Sequence, residues 1–115
     1  MKRKILIIIF LILVLVIFIG FKVTKNQVNQ KMIDKEKIIA EALKLYNKKK
    51  AEGMVFNSQC LGTIEVDNEK YVVDIVHVPR TEEDNLPENQ CEDFRTGKVK
   101  HFIELDKNGK VVRIV

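Results

Sequence analysis

The sequence predicts an α+β protein carried on a transmembrane helix. An N-terminal membrane-spanning helix comes first, then one amphipathic helix packed on a four- or five-stranded antiparallel sheet. Three observations predict this. An unbroken apolar run covers residues 5–19. Between Asp34 and Glu52 apolar residues recur every three or four positions, the spacing of one helix face. After Gly53 the apolar period drops to two, the spacing of a pleated strand.

The first element is an expected membrane anchor over residues 1–21, inserted through residues 5–21. Counted through Gly20 and Phe21, the run makes about 25 Å of helix at 1.5 Å per residue. That is the short end of a spanning helix, and Lys4 and Lys22 can reach out to the headgroups at its two ends. A cleaved secretory signal would need small side chains just before the cut. Phe18 stands three positions before a cut after Gly20, and Lys22 three before a cut after Thr24. No Cys follows the run, so a lipoprotein signal is excluded. The run therefore reads as an uncleaved anchor.

Charge sets the expected orientation. Lys2, Arg3 and Lys4 are packed at one end of the run, whereas Lys22, Lys25 and Lys31 are sparser at the other. The denser cluster is retained in the cytoplasm, which places the C-terminal domain outside the cell membrane. The formal net charge of +4 conceals a change of sign along the chain. Residues 22–52 carry nine Lys against four acids, and residues 53–115 carry eight Lys or Arg against twelve acids. The basic part adjoins the membrane, where each Lys near anionic headgroups contributes about 1 kcal/mol. The acidic remainder argues against a nucleic-acid partner, which would demand a clustered cationic face.

Residues 22–33 are polar with scattered Val23, Val28 and Met32, and read as a basic linker or a backward extension of the next helix. The outer domain is expected over residues 34–115. Its helix covers residues 34–52, with Asp34 as N-cap and Gly53 as stop. Ile38, Ile39, Ala42, Leu43 and Tyr46 form the apolar stripe that covers a sheet. Strands are expected at 54–56, 60–66, 71–78, 98–105 and 110–115. Residues 67–70 form a turn, and Pro79 ends the third strand. Residues 106–109, DKNG, fit a type I turn in which Asp106 supplies the side-chain acceptor and Gly109 takes positive φ.

Cys60 and Cys91 are the two cysteines. Their spacing makes no metal knuckle, and no His-x-x-x-His pattern accompanies them. In an exported small domain the simplest reading is one disulfide. The alternative, a nucleophilic thiol, is poorly served at Cys91, because the neighbouring acids in ENQCEDF raise a thiol pKa.

Between two predicted strands, residues 80–97 combine turn formers with a run of acids and read as a solvated loop. Glu82, Glu83, Asp84 and Glu88 are the candidate partner-binding residues on it. With Glu92 and Asp93 the same acids offer oxygen ligands to a hard cation, but the spacing and central glycine of a calcium loop are missing. His77 and His101 both fall in predicted strands. If those strands paired, the two could take a metal with Asp74 or Glu104, but a lone strand His is more often packed or solvated. The chain lacks a Gly-x-Ser-x-Gly elbow, a phosphate loop, His-Glu-x-x-His and Gly-x-Gly-x-x-Gly. No catalytic residue, metal or cofactor is therefore expected.

The helix DKEKIIAEALKLYNKK, a strand pair and the closing hairpin HFIELDKNGKVVRIV together resemble a PepSY domain. The resemblance covers residues 34–115 and is most specific at Leu105, Asp106, Lys107, Asn108, Gly109, Lys110, Val111 and Val112. Residues 80–97 and the two cysteines depart from the family pattern. The resemblance implies a small non-catalytic module that binds or restrains a partner protein, often a protease. A pilin-like or envelope-assembly subunit is the alternative. It shares the apolar helix, the sheet and the cysteine pair, but Lys4 stands where a pilin has its processing Gly, and residues 5–19 contain no Glu.

Overall fold

The computed structural model describes residues Met1–Val115. Its elements run α1 (Lys2–Ala51), β1 (Gln59–Val66), β2 (Glu69–Ile75), two 3-10 turns (Glu82–Asn85 and Pro87–Asn89), α2 (Glu92–Arg95), β3 (His101–Leu105) and β4 (Val111–Ile114). The chain divides into two compact units, Met1–Asp34 and Lys35–Val115.

In the first unit, α1 passes through residues 22–33 without a break. Those residues extend the helix and do not form a linker. No Gly or Pro interrupts the chain between Phe21 and Glu52. Asp34 is accordingly not an N-cap. It lies inside α1, where its Oδ1 accepts a bond of 2.9 Å from Gln30 Nε2 one turn back. The apolar side chains of residues 5–19 are all exposed, and the helix is long and apolar enough to cross a membrane.

The second unit begins with the rest of α1. Gly53 (φ +89°) closes this helix in a Schellman arrangement. Met54 N donates to Lys49 O and Gly53 N to Lys50 O, both at 3.0 Å. Residues 54–56 are not a strand. Phe56 stacks on Tyr46 with ring centroids 4.4 Å apart, and Met54 packs against the core.

The four strands form one sheet in the order β1-β2-β3-β4. β1 and β2 are an antiparallel hairpin closed by Asp67 and Asn68, both at positive φ, as a two-residue hairpin turn demands. Lys37 of α1 ties to this turn, 2.9 Å from Asp67 Oδ2. β3 and β4 are also antiparallel. β2 and β3, however, pair in parallel, with Tyr71 opposite His101 and Ile75 opposite Leu105. The sheet is therefore mixed where a purely antiparallel one was expected. The reason lies in residues 76–100. A parallel pair cannot be joined by a tight turn and needs a crossover of a dozen or more residues. The acid-rich stretch read as a loop is that crossover.

Side chains alternate across the sheet. On one face Val73, Ile75, Ile103 and Leu105 pack with Leu61 and Val66 against Ile38, Ala42 and Tyr46 of α1. On the other face Val72 and Phe102 pack against Cys91 and Val99 of the crossover. The Cys60–Cys91 disulfide fastens the crossover to β1, with Cα atoms 4.9 Å apart.

The closing hairpin is held from beneath by Tyr46, whose hydroxyl donates to Lys107 O at 2.8 Å. Asp106 Oδ1 accepts from Asn108 N and Lys110 N, each at 2.9 Å. Gly109 sits at φ +82°, and a Cβ there would lie 3.0 Å from the Tyr46 ring.

Replacing Cys60 and Cys91 by Ser releases a 31-residue separation and is expected to lower unfolding stability by roughly 3–4 kcal/mol in the chain-entropy description. Gly109→Ala combines left-handed strain with crowding of Tyr46 and is expected to lose about 1–3 kcal/mol. Urea titration of the detergent-solubilised chain, followed by near-ultraviolet circular dichroism, measures both.

Candidate functional site

The crossover face carries most of the buried charge of the second unit. Because side chains alternate, β2 turns Val73 and Ile75 toward α1 and Val72 and Asp74 toward the crossover. The strand registers then align one row across four strands. Cys60 lies opposite Asp74, Asp74 opposite Glu104, and Glu104 opposite Arg113.

Glu104 is 5% exposed and is clamped by two guanidinium groups. Arg113 reaches it through Nε (3.1 Å to Oε2) and Nη2 (3.0 Å to Oε1). Arg80, from the crossover, donates Nη1 to Oε1 at 3.1 Å. Arg113 also lies over the Phe102 ring, 4.8 Å from its centroid. Asp74 has no such clamp, and its Oδ1 is buried without a hydrogen-bond partner. Burial, then the neighbouring Glu104 charge, push its pKa up to about 7, with Arg80 and the Ile75 N–H opposing in part. A cavity of about 180 Å³ adjoins these groups, walled by Phe94, Phe102 and Cys91.

A second polar cluster forms where the chain leaves β2. Asp84 is 1% exposed and accepts at both oxygens. Oδ1 takes His77 N (3.1 Å) and lies 2.9 Å from His77 Nδ1. Oδ2 takes Thr81 N at 2.8 Å and Thr81 Oγ1 at 3.3 Å. Burial alone would raise the pKa of this carboxyl, but the Thr81 and His77 backbone donors outweigh it and bring it down to about 2. Ser58 is buried close enough to Asp84 to favour its charged form, though outside hydrogen-bond geometry. His77 Nε2 lies 2.6 Å from Asn57 Oδ1. The nitrogen that a general base would present is thus occupied by Asn57, and Ser58 stands on the carboxylate side of the imidazole. The cluster pins the 57–58 segment, the end of β2 and the first 3-10 turn together.

Beside this pin lies an open groove of about 690 Å³ between residues 55–57, 76–81 and 106–108. Its floor includes Phe56 and Val76. On its rim Val55 is 85% and Val78 66% exposed, the most exposed large apolar side chains of the second unit.

The candidate partner-binding residues separate. Glu82, Glu83 and Glu88 are exposed on the crossover. Asp84 is not available to a partner, because it is buried and bonded within its own cluster. The sequence presents it as one acid among several, whereas its place as N3 of the first 3-10 turn makes it the capping-box partner of the N-cap Thr81. Asp106 and Gly109 occupy the closing turn, and Cys60 and Cys91 are bonded to each other. His77 and His101 do not meet. His101 is level with Tyr71, so His77 stands six residues farther along, about 20 Å at the rise of a strand. His101 instead packs at 5.1 Å from Tyr71 on the helix-covered side. The Asp74, Arg80, Glu104 and Arg113 grouping was not read as a site from sequence. Its signal was one acid inside each of two otherwise apolar runs, YVVDIV and FIEL.

Compared with protein-family models, curated proteins and solved structures, the chain finds no match.

Asp84→Asn keeps the shape but removes the charge that four donors address, and is expected to lower stability by about 1.5–3 kcal/mol at neutral pH. The sign of the pH dependence is fixed by the depressed pKa. Asp84 contributes fully above the ordinary carboxyl range, and that contribution disappears as pH falls from about 4 toward about 2. Urea midpoints measured between pH 2 and 6 should therefore converge for the variant and the parent protein at the acid end.

Proposed function

We propose that this chain is a single-pass membrane protein whose Lys35–Val115 unit lies outside the cytoplasm and docks a protein partner without catalysing a reaction. The observation that carries the anchoring is the exposure of every apolar side chain in residues 5–19, since a helix with that surface needs lipid or other apolar cover. The disulfide supports an oxidising location for the second unit. The clustered Lys2, Arg3 and Lys4 support a cytoplasmic N-terminus.

The groove with its exposed Val55 and Val78 rim supports docking, because apolar side chains of this exposure beside a concave surface are what a partner covers. The exposed Glu82, Glu83 and Glu88 supply a polar border on the crossover. The resemblance of the closing hairpin to PepSY modules adds a class of partner, a peptidase. One observation favours the second reading, an assembly subunit: Val28, Met32 and Ile33 stay exposed beyond the apolar run and offer α1 a contact with further copies.

The test uses a photo-cross-linking amino acid at position 78 in intact membranes, with alkaline extraction of the same membranes. The expected outcome is a pellet-bound chain and one discrete adduct with a different protein. A ladder of self-adducts would favour assembly, and release into the alkaline supernatant would overturn the anchor.

A further inference from the structure

The two carboxyl groups facing each other across β2 and β3 are an unusual arrangement. Like charges directly opposite in a sheet destabilise it. Here only one of the pair is neutralised by direct bonds. Both bonded guanidinium groups, Arg80 and Arg113, point to Glu104. Asp74 keeps a buried, partnerless oxygen beside a small cavity walled by Phe94, Phe102 and Cys91.

We propose that the Asp74–Glu104 pair is a proton-operated latch on the crossover. The closed second unit holds one proton on the pair, and loss of that proton loosens residues 76–100 from the sheet. Every element packed around Asp74 bears on this. β1 places Cys60 opposite it, which does not titrate because it is disulfide-bonded. β3 contributes Glu104 and β4 contributes Arg113. The crossover contributes Arg80, which favours the ionised form, and Asp84, which opposes it.

With the proton in place, the neutral Asp74 carboxyl fills its position without demanding a counter-ion, and Glu104 keeps Arg80. When the proton leaves, a second negative charge appears next to Glu104 on a half-buried side chain whose Oδ1 has no donor to stabilise it. Two responses relieve it: Arg80 shifts from Glu104 toward Asp74, or water enters as the segment bearing Phe94, beyond the disulfide, lifts. Each alters the crossover, because Arg80 and Phe94 both belong to it. The disulfide keeps the loosened crossover tethered to β1, so the response is local and not a global unfolding.

The direction follows from proton linkage. An acid whose pKa is raised in the closed state binds its proton more tightly there than in the open state. The closed state is then favoured fully below the ordinary carboxyl range and loses that advantage as pH rises toward about 7. This runs opposite to Asp84, whose contribution is lost on acidification.

The test is hydrogen exchange with mass spectrometry on the full chain in detergent micelles, corrected for intrinsic rates, from pH 5 to pH 8.5. The opening constant of peptides within residues 86–100 is expected to rise by up to about tenfold per pH unit below 7 and then level off. Asp74→Asn, uncharged and of the same shape, is expected to flatten the profile, whereas a His77→Gln control should leave the slope in place. A flat profile in the parent protein, or an unchanged slope in Asp74→Asn, overturns the proposal. Should the variant fold poorly, the carbon-13 shift of the Asp74 carboxyl in the parent protein decides. A midpoint near 7 supports the latch, and one near 4 overturns it.

Discussion

The parallel pairing of β2 with β3 is the constraint on which the rest of the second unit depends. Two parallel neighbours cannot be joined at the same end, so the chain must travel back along the sheet before β3 begins. In this protein residues 76–100 make that return across the face that α1 leaves uncovered. The crossover thereby supplies the second layer of the core, through Cys91 and Val99 against Val72 and Phe102. It has little regular structure to stiffen it, only two 3-10 turns and the four-residue α2. Beyond that packing, its hold on the sheet comes from the disulfide at Cys60 and the Arg80–Glu104 ion pair, while the Asp84 cluster braces its first turn internally and against Asn57.

These attachments differ in physical character. The disulfide acts mainly by restricting the unfolded chain. Asp84 is a buried charge whose donors come from backbone and side chains close in sequence, so its desolvation is offset locally. The Arg80–Glu104–Arg113 group joins the crossover to the β3–β4 hairpin, 24 residues apart at Arg80 and Glu104. A buried ion pair is weak evidence of added stability, but removing one member leaves an uncompensated charge. That asymmetry makes the loss of one partner costlier than the net worth of the group. Asp74 is the member left outside the clamp.

Much of the helix-covered half of the fold was legible in the sequence, for identifiable reasons. Ile38, Ala42 and Tyr46 recur at helical spacing and do cover the sheet. Asp106 and Gly109 announce a turn by their chemistry, and the structure uses both. Cys60 and Cys91 had few alternatives. What was not legible involves direction and partnership. A strand's apolar alternation is the same whether its neighbour runs parallel or antiparallel, so KVKHFIEL could not declare its orientation. The length of the 80–97 interval was the available hint, and its acids masked it. Asp84 looked like its neighbours because burial is decided by the turn it caps. The charged row of Asp74, Glu104 and Arg113 exists only once three strands are in register. Residues 22–33 lacked the apolar periodicity of a packed helix, yet also lacked any residue that would stop one.

The central claim is the parallel β2–β3 register with its crossover, and inter-strand nuclear Overhauser effects on the full chain in micelles test it most directly. The account predicts the evenly spaced amide-to-α-proton pattern of a parallel pair, with Tyr71 level with His101 and Val73 level with Ile103. Close α-proton to α-proton contacts between β2 and β3, the mark of an antiparallel pair, would contradict it.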